Sequence, residues 1–117
     1  MVSQGTFVAA VGADSAEKSE LAPELMAGAT IVVDLLNQAA AMGDLHHAID
    51  AGVVTANNVH AELADIVVGR KPGRTSRDET IVFDSTGTAI QDIASAVAIW
   101  QRAVASRVGI PVQLGAL

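Results

Sequence analysis

The chain has 117 residues, which is the size of one domain with a single core. Thirteen acidic residues oppose seven basic ones, and the formal charge of −6 gains nothing from contact with phosphates, so we expect no nucleic-acid partner. There is no cysteine, which excludes disulfides, thiolate catalysis and cysteine-based zinc sites and suits a cytoplasmic protein.

Short apolar runs alternate with helical patterns along the chain, which is typical of βα units on a parallel sheet. A buried strand is predicted at Thr6–Val11, and β-branched strands are predicted at Thr30–Asp34 and Thr80–Asp84. We therefore predict an α/β fold in one domain, residues 1–117. It is a partial Rossmann-like domain with about three mainly parallel strands, packed helices and a long C-terminal helix.

The helices between the strands are predicted to be short: Leu21–Ala27, Leu35–Gly43 (a helix or a turn), Asp44–Ala51 and Val59–Val68. Asp44 can cap the third of these through its carboxylate. The fourth rests on apolar residues at 59, 63, 66 and 67, which have helical spacing. Asn57 or Asn58 is the predicted N-cap of that helix.

The last predicted helix, Thr88–Val108, is apolar on most of its surface, which is typical of a helix that packs on more than one side. Trp100 lies on its main apolar stripe, and we interpret it as a core or interface residue rather than a stacking platform. A chain this small cannot bury all of its apolar residues within itself. We expect a homo-oligomer, with a dimer favoured, whose interface includes this helix or an exposed sheet edge. No uncharged run approaches the roughly 18 apolar residues of a membrane helix, so we expect no membrane partner.

Polar residues follow the first predicted strand at Val11-Gly-Ala-Asp14, with Lys18 four residues later. Ligands of parallel α/β sheets bind outside the carboxyl ends of the strands, and Gly12 would let a ligand approach the backbone closely. Asp14 could then act as a general base or hold a cationic substrate. From spacing alone, a simple polar turn is the alternative interpretation.

A second polar segment, Phe83-Asp-Ser-Thr-Gly87, connects the third predicted strand to the long helix. Ser85 and Thr86 can cap that helix, and free amides at a helix start attract anionic groups. The segment can therefore be interpreted as a simple helix cap or as an anion-binding site.

Two other groups of residues are weaker candidates. The histidines His46, His47 and His60 have no convincing ligand spacing, and we predict no metal site. Four basic residues share one turn-rich loop: Arg70, Lys71, Arg74 and Arg77. That loop is a phosphate site or, as we favour, a solvated surface.

Two blocks of sequence resemble the ornithine cyclodeaminase and mu-crystallin family. The first is Val11-Gly-Ala-Asp-Ser-Ala-Glu-Lys-Ser-Glu-Leu21 with Thr30-Ile-Val-Val-Asp34, and the second is Gly73-Arg-Thr-Ser-Arg-Asp-Glu-Thr-Ile-Val-Phe-Asp-Ser-Thr-Gly-Thr-Ala-Ile-Gln-Asp92. The resemblance covers nearly the whole chain and about the last third of the family. It implies NAD(P)-dependent enzymes such as ornithine cyclodeaminases, ketimine reductases and some alanine dehydrogenases. In that family a Rossmann domain holds the nucleotide and a separate domain holds the substrate.

The family's site residues map onto both polar segments. The resemblance implies that Asp14 is catalytic and also contacts the substrate. It implies that the cofactor is contacted by Val11, Gly12, Ala13, Lys18 and Ser85. Thr86 would touch the substrate.

Parts of the family pattern are missing from these 117 residues. There is no G-x-G-x-x-G turn for the pyrophosphate and no acidic residue after it for the ribose. The substrate-gripping basic residues of the family are also missing. We therefore expect a truncated relative with residual nucleotide or small-molecule binding and no autonomous enzyme activity. A non-enzymatic homo-oligomeric interaction module and one chain of a split NAD(P)-dependent cyclodeaminase or ketimine reductase are the alternatives.

Overall fold

A computed structural model describes residues 2–112 and 115 of the chain. The remaining residues of the expected domain 1–117 lie outside the described part. The chain divides into two compact units, residues 1–87 and 88–117. The first unit contains β1 (Phe7–Ala10), α1 (Pro23–Ala27), β2 (Thr30–Val33), α2 (Leu36–Ala39), α3 (Asp44–Asp50), a 3-10 turn (Ala56–Asn58), β3 (Val59–Glu62), α4 (Leu63–Val67) and β4 (Ile81–Asp84). The second unit contains α5 (Ala89–Ser106).

The described strands form one parallel sheet in the order β1-β4-β2-β3. The predicted α/β, Rossmann-like class is confirmed, with four strands where about three were expected. The β-branched run of β2 pairs on both sides and is almost fully buried, as expected for a central parallel strand. Strand β4 occupies the other central position, which brings its last residue, Asp84, into the interior.

The hydrophobic core lies on one face of the sheet, between the strands and helices α1 to α3. Alternate strand residues point to this face, so Ile31 and Val33 of β2 lie beside Val82 of β4. Their helical partners include Met26 and Leu45, both buried. This packing holds the loops at the carboxyl ends of the strands against the first turn of α3.

The opposite face of the sheet carries an open apolar groove of about 520 Å³. It is lined by Phe7, Thr30, Val32, His60, Leu63, Ile66, Gly73, Arg74, Ile81 and Phe83. Phe7 on the edge strand β1 is 58% exposed. Val32 and Ile81 on the same face are buried, so this face is covered at its centre and open at the β1 edge.

The predicted helix over Val59–Val68 is wrong in its first part. Residues Val59–Glu62 form strand β3 on the edge of the sheet, and only Leu63–Val67 is helical. Backbone pairing with β2 decides this, because a hydrogen-bonded neighbour outweighs the spacing of four apolar residues. The predicted asparagine cap is wrong for the same reason, since Asn58 instead closes the 3-10 turn by accepting hydrogen bonds from Thr55.

Asp44 does not cap α3, contrary to the prediction. It is the first residue of the helix, and no side chain of α3 caps its own start. Instead, Oδ1 of Asp44 accepts hydrogen bonds from the amides of Glu20 and Leu21, at 2.7 and 2.9 Å. The start of α3 is held from another element, because Leu45 donates its amide hydrogen to Oδ2 of Asp84 at 2.7 Å.

Helix α5 has no buried residue among those that the structure describes. Trp100 is 65% exposed, so its assignment to the core is wrong, and its assignment to an interface stays a prediction. The helix ends at Ser106, followed by Arg107 in the left-handed conformation. None of the described helices combines the length and apolar character that a membrane crossing requires.

Candidate functional site

The parallel register brings the two polar segments to one edge of the sheet. Asp84 at the end of β4 pairs with Ala10 of β1 and with Val33 of β2, so the three strands end together. The amide of Ser85 donates a hydrogen bond to the carbonyl of Ala10 at 2.9 Å. The segments that begin at Val11 and Ser85 are therefore neighbours where parallel α/β sheets bind ligands.

Asp14 and Lys18 form an exposed ion pair, with 2.6 Å between Nζ of the lysine and Oδ1 of the aspartate. The hydrogen bond and the positive charge of Lys18 hold the pKa of Asp14 below its ordinary value of 3.8. Asp14 is therefore ionised at neutral pH. In this geometry it can accept a proton or hold a cation, and it has no proton to give.

The residues between β1 and Asp14 present mainly backbone to a ligand. The amide of Gly12 donates a hydrogen bond to Oε2 of Glu20 at 2.9 Å, and a Cβ at this position would collide with that carboxylate. A side chain at position 12 would therefore displace the flexible Glu20 carboxylate from this amide. The side chain of Ala13 is buried and that of Val11 is exposed.

Ser85 and Thr86 do not cap α5, contrary to the capping interpretation, because the start of that helix has no side-chain cap. Their hydroxyls donate instead to the carboxylate of Asp34, at 3.1 Å to Oδ2 and 3.3 Å to Oδ1 respectively. Thr86 is buried, and its hydroxyl also accepts a hydrogen bond from Nε2 of Gln38 at 2.9 Å. The segment after β4 is thus held by side-chain contacts with residues after β2.

Three buried carboxylates at this edge were not among the predicted site residues: Asp34, Asp44 and Asp84. Asp34 and Asp84 each directly follow an apolar, β-branched strand, and this position at a strand end was the available signal. Burial raises the pKa of Asp84 to about 6, and the negative charges of Asp44 and Asp34 add to the increase, whereas the amide of Leu45 opposes it. One oxygen of Asp84 and one of Asp44 have no hydrogen-bond partner among the described residues.

The weaker sequence candidates lie in other contacts. The His47 ring is 2.9 Å from the carbonyl of Lys18, and the His60 ring is 2.9 Å from the carbonyl of Pro72. Of the basic loop, Arg70 pairs with Asp65 and Arg74 donates to backbone carbonyls of the same loop. Within residues 2–112, no three histidine or acidic side chains are arranged to hold a metal ion.

Comparison with known proteins places this geometry in a family. The model of the ornithine cyclodeaminase/mu-crystallin family matches residues 1–107. An alanine dehydrogenase of Archaeoglobus fulgidus is 43% identical over 108 residues, which are 92% of this chain and 34% of that protein.

Two solved structures have the same fold over nearly all of the chain. An archaeal alanine dehydrogenase dimer with bound NAD superposes with a TM-score of 0.85 at 40% identity, covering 97% of this chain and 36% of that one. The Delta(1)-pyrroline-2-carboxylate reductase of Thermococcus litoralis, in complex with NADH and L-proline, gives a TM-score of 0.87 at 32% identity, covering 95% and 35%. The chain thus spans about a third of the length of these relatives. It belongs to the ornithine cyclodeaminase/mu-crystallin family.

Proposed function

We propose that this chain forms part of an NAD(P) site at the carboxyl edge of its sheet, with Asp14 as the proton-accepting residue. The observation that carries the proposal is the meeting of the Val11–Asp14 and Ser85–Thr86 segments at that edge, through the hydrogen bond from Ser85 to Ala10. Relatives of the same fold hold NAD or NADH.

The residues present fit one part of a dinucleotide. The Gly12 amide donates to a carboxylate oxygen of Glu20, so a ligand anion that displaces this exposed side chain would find a hydrogen-bond donor there. Lys18 offers a cation, and Ser85 offers a hydroxyl at the same edge. Ala13 can contribute only backbone atoms, because its side chain is buried. The 117 residues contain no G-x-G-x-x-G turn, so they do not supply the usual cradle for the pyrophosphate.

The chemistry assigned to the protein is proton handling and orientation. When bound, a nicotinamide dinucleotide supplies hydride transfer. Asp14 is ionised at neutral pH, and Lys18 lowers its pKa further, so the carboxylate can accept a proton from an amino group or hold a protonated imine close to the sheet edge. Relatives are named for alanine, iminosuccinate and pyrroline-2-carboxylate, which supports a small amino or imino acid as substrate. We expect no turnover by these 117 residues alone, because orientation of both reactants supplies much of the catalytic effect.

Thermal unfolding with NADH, NADPH, NAD and ornithine tests the nucleotide proposal. A ligand at 100 times its Kd stabilises the fold by about 2.7 kcal/mol, which raises the midpoint by several degrees for a domain of this size. We expect such a shift with at least one nucleotide and a smaller one in Ser85→Ala, which loses the hydroxyl proposed to contact the nucleotide. Glu24→Ala, an exposed change at the opposite end of the sheet, is the matched control. A wild-type midpoint that no nucleotide moves would overturn the proposal.

The exposed apolar surface of α5 favours a second role, self-association. Ile90, Ile93 and Trp100 are each more than 60% exposed. Large exposed apolar patches mark interaction surfaces, and one relative is described as a dimer. We propose that two copies of this chain associate through α5. This role does not exclude nucleotide binding, and it is also the role that a non-enzymatic interaction module would have.

Light scattering at micromolar concentration tests self-association. We expect a dimer for the wild-type chain and a monomer for Trp100→Glu, because a charge in an apolar interface carries a large desolvation cost. Ser95→Glu adds the same charge at a polar position of the helix and should leave the dimer intact. A monomeric wild-type chain would end this proposal without bearing on the nucleotide site.

A further inference from the structure

One buried carboxylate, that of Asp34, gathers four hydrogen bonds at the candidate site. Its Oδ1 accepts from the amide of Leu35 at 2.8 Å and from the hydroxyl of Thr86 at 3.3 Å. Its Oδ2 accepts from the amide of Gly87 at 2.8 Å and from the hydroxyl of Ser85 at 3.1 Å. Three of the four donors therefore belong to consecutive residues of the loop after β4, more than 50 positions away in sequence.

The donors require an acceptor at both oxygens. Leu35 and Gly87 present backbone N–H groups, which cannot reverse their direction as a hydroxyl can. An asparagine at position 34 would place its NH₂ group against one of them in either orientation. Asp34 is only 7% exposed, so water has little access to replace a lost partner. A carboxylate, with two accepting oxygens, is the side chain that satisfies this arrangement.

We propose that Asp34 is the positioning residue of the candidate nucleotide site: it holds Ser85, Thr86 and Gly87 in the conformation that receives the ligand. This inference rests on the proposed function. Asp34 acts through the loop and does not itself touch the ligand, because its lone pairs already accept four hydrogens. Gln38 restrains the same loop from its other side, with Nε2 donating to the Thr86 hydroxyl and, at 2.7 Å, to the Gly87 carbonyl.

The sign of the expected effect separates positioning from simple electrostatics. Removing a negative charge beside an anionic nucleotide strengthens binding, because it removes repulsion. Removing the carboxylate that orders the loop weakens binding, because the ligand must then order the loop itself. Asp34→Asn removes the negative charge and also the carboxylate that orders the loop. If Asp34 is a positioning residue, the loss of loop order outweighs the loss of repulsion, and the nucleotide binds more weakly.

Glu62→Gln is the matched control for charge. Glu62 also lies at the carboxyl end of a strand, and its Oε1 accepts the amide of Leu36 at 2.9 Å. It makes no hydrogen bond with residues 85–87 in the described structure. Val54→Ala, a core change away from this loop, is the control for a general loss of stability.

The experiment is a fluorescence titration of NADH into the 117-residue chain, well below the unfolding midpoint of each variant. We expect Asp34→Asn to bind about tenfold more weakly than the wild type, as expected for losing a hydrogen bond to a charged group. Glu62→Gln and Val54→Ala should remain within about twofold of the wild-type Kd, a range that corresponds to less than one ordinary hydrogen bond. Wild-type affinity in Asp34→Asn, or equal weakening in Glu62→Gln, would overturn the inference.

Amide hydrogen exchange of the free protein separates this inference from the proposed function. We expect faster exchange at Gly87 in Asp34→Asn than in the wild type, with no such change in Glu62→Gln. If the wild-type chain binds no NADH, the proposed function fails, and unchanged exchange at Gly87 would refute the positioning role as well. If Asp34→Asn does not fold, Thr86→Val removes one donor of the same carboxylate and should give the same two effects at smaller size, about threefold in Kd. No change in either measurement for Thr86→Val would then refute the role.

Discussion

The two halves of the candidate site lie at the same sheet edge and are held in opposite ways. The loop after β4 donates hydrogen bonds to the buried carboxylate of Asp34, and its residue Thr86 packs against Gly43 at the start of α3. The loop after β1 is held by exposed contacts, namely the Lys18–Asp14 ion pair and the hydrogen bond from Gly12 to Glu20. Buried polar networks are strong because water does not compete, whereas exposed ion pairs contribute little. We therefore expect a rigid half after β4 and an adaptable half that carries Asp14.

The largest expected effect comes from Gly43→Ala, which breaks the rigid half. Gly43 has φ +90° and ψ −174°, a conformation that is essentially restricted to glycine. A Cβ there would lie 2.7 Å from Cγ2 of Thr86 and 3.2 Å from both carboxylate oxygens of Asp84. Backbone strain and overpacking together should lower the free energy of unfolding by about 4 kcal/mol, measured by urea denaturation.

Gly52→Ala is the matched control for Gly43→Ala. Gly52 also has a positive φ, +71°, but nothing lies within 4 Å of where its Cβ would be. Its cost should therefore be that of the left-handed conformation alone, about 1 kcal/mol. Equal losses in the two variants would mean that Gly43 does not pack against the loop after β4.

The next effect is a pH dependence that Asp84 gives to stability. Its pKa is about 6 in the folded chain and 3.8 is the ordinary value, so the folded state holds the proton more tightly. The contribution of Asp84 to stability is therefore fully present below about pH 4 and is lost as the pH rises through 6. Each unit of pKa corresponds to about 1.4 kcal/mol, so roughly 3 kcal/mol is at stake.

Asp84→Asn measures this contribution, because asparagine is neutral at every pH and can still accept the amide hydrogen of Leu45. We expect the unfolding free energy of the variant, relative to the wild type, to increase by roughly 2.5 kcal/mol between pH 4 and pH 7.5. Urea denaturation at several pH values gives this difference directly. A difference that stays constant over that range would show that Asp84 ionises as an exposed aspartate does.

The smallest expected effect comes from Lys18→Gln in the adaptable half. Without the cation, the pKa of Asp14 should rise toward its ordinary value of 3.8, as followed by the carboxyl carbon shift in an NMR titration. The unfolding midpoint should hardly change, because both partners are exposed. A clear loss of stability would mean that this loop is as firmly built into the fold as the loop after β4.

Much of the fold could be predicted from local patterns, and the exceptions have tertiary causes. The runs at Thr30–Asp34 and Thr80–Asp84 are predicted as strands almost to the residue, because short runs of β-branched apolar residues strongly favour buried strands. Val59–Glu62 was predicted as helix because its edge pairing with β2 depends on a partner far away in sequence. In the same way, the hydroxyls of Ser85 and Thr86 met the buried carboxylate of Asp34 and not the helix that follows them.

The sequence by itself determined the class of fold, the family and the two polar segments, because these depend on the order of residues along short stretches. Tertiary structure decided which side chains hold the segments in place. Asp34, Asp44 and Asp84 are ordinary strand-end and helix-start residues in the sequence, and they become buried acceptors only when the parallel strands end side by side. Burial and the hydrogen-bond partners of a carboxylate are set by residues distant in the chain, and no local pattern contains them.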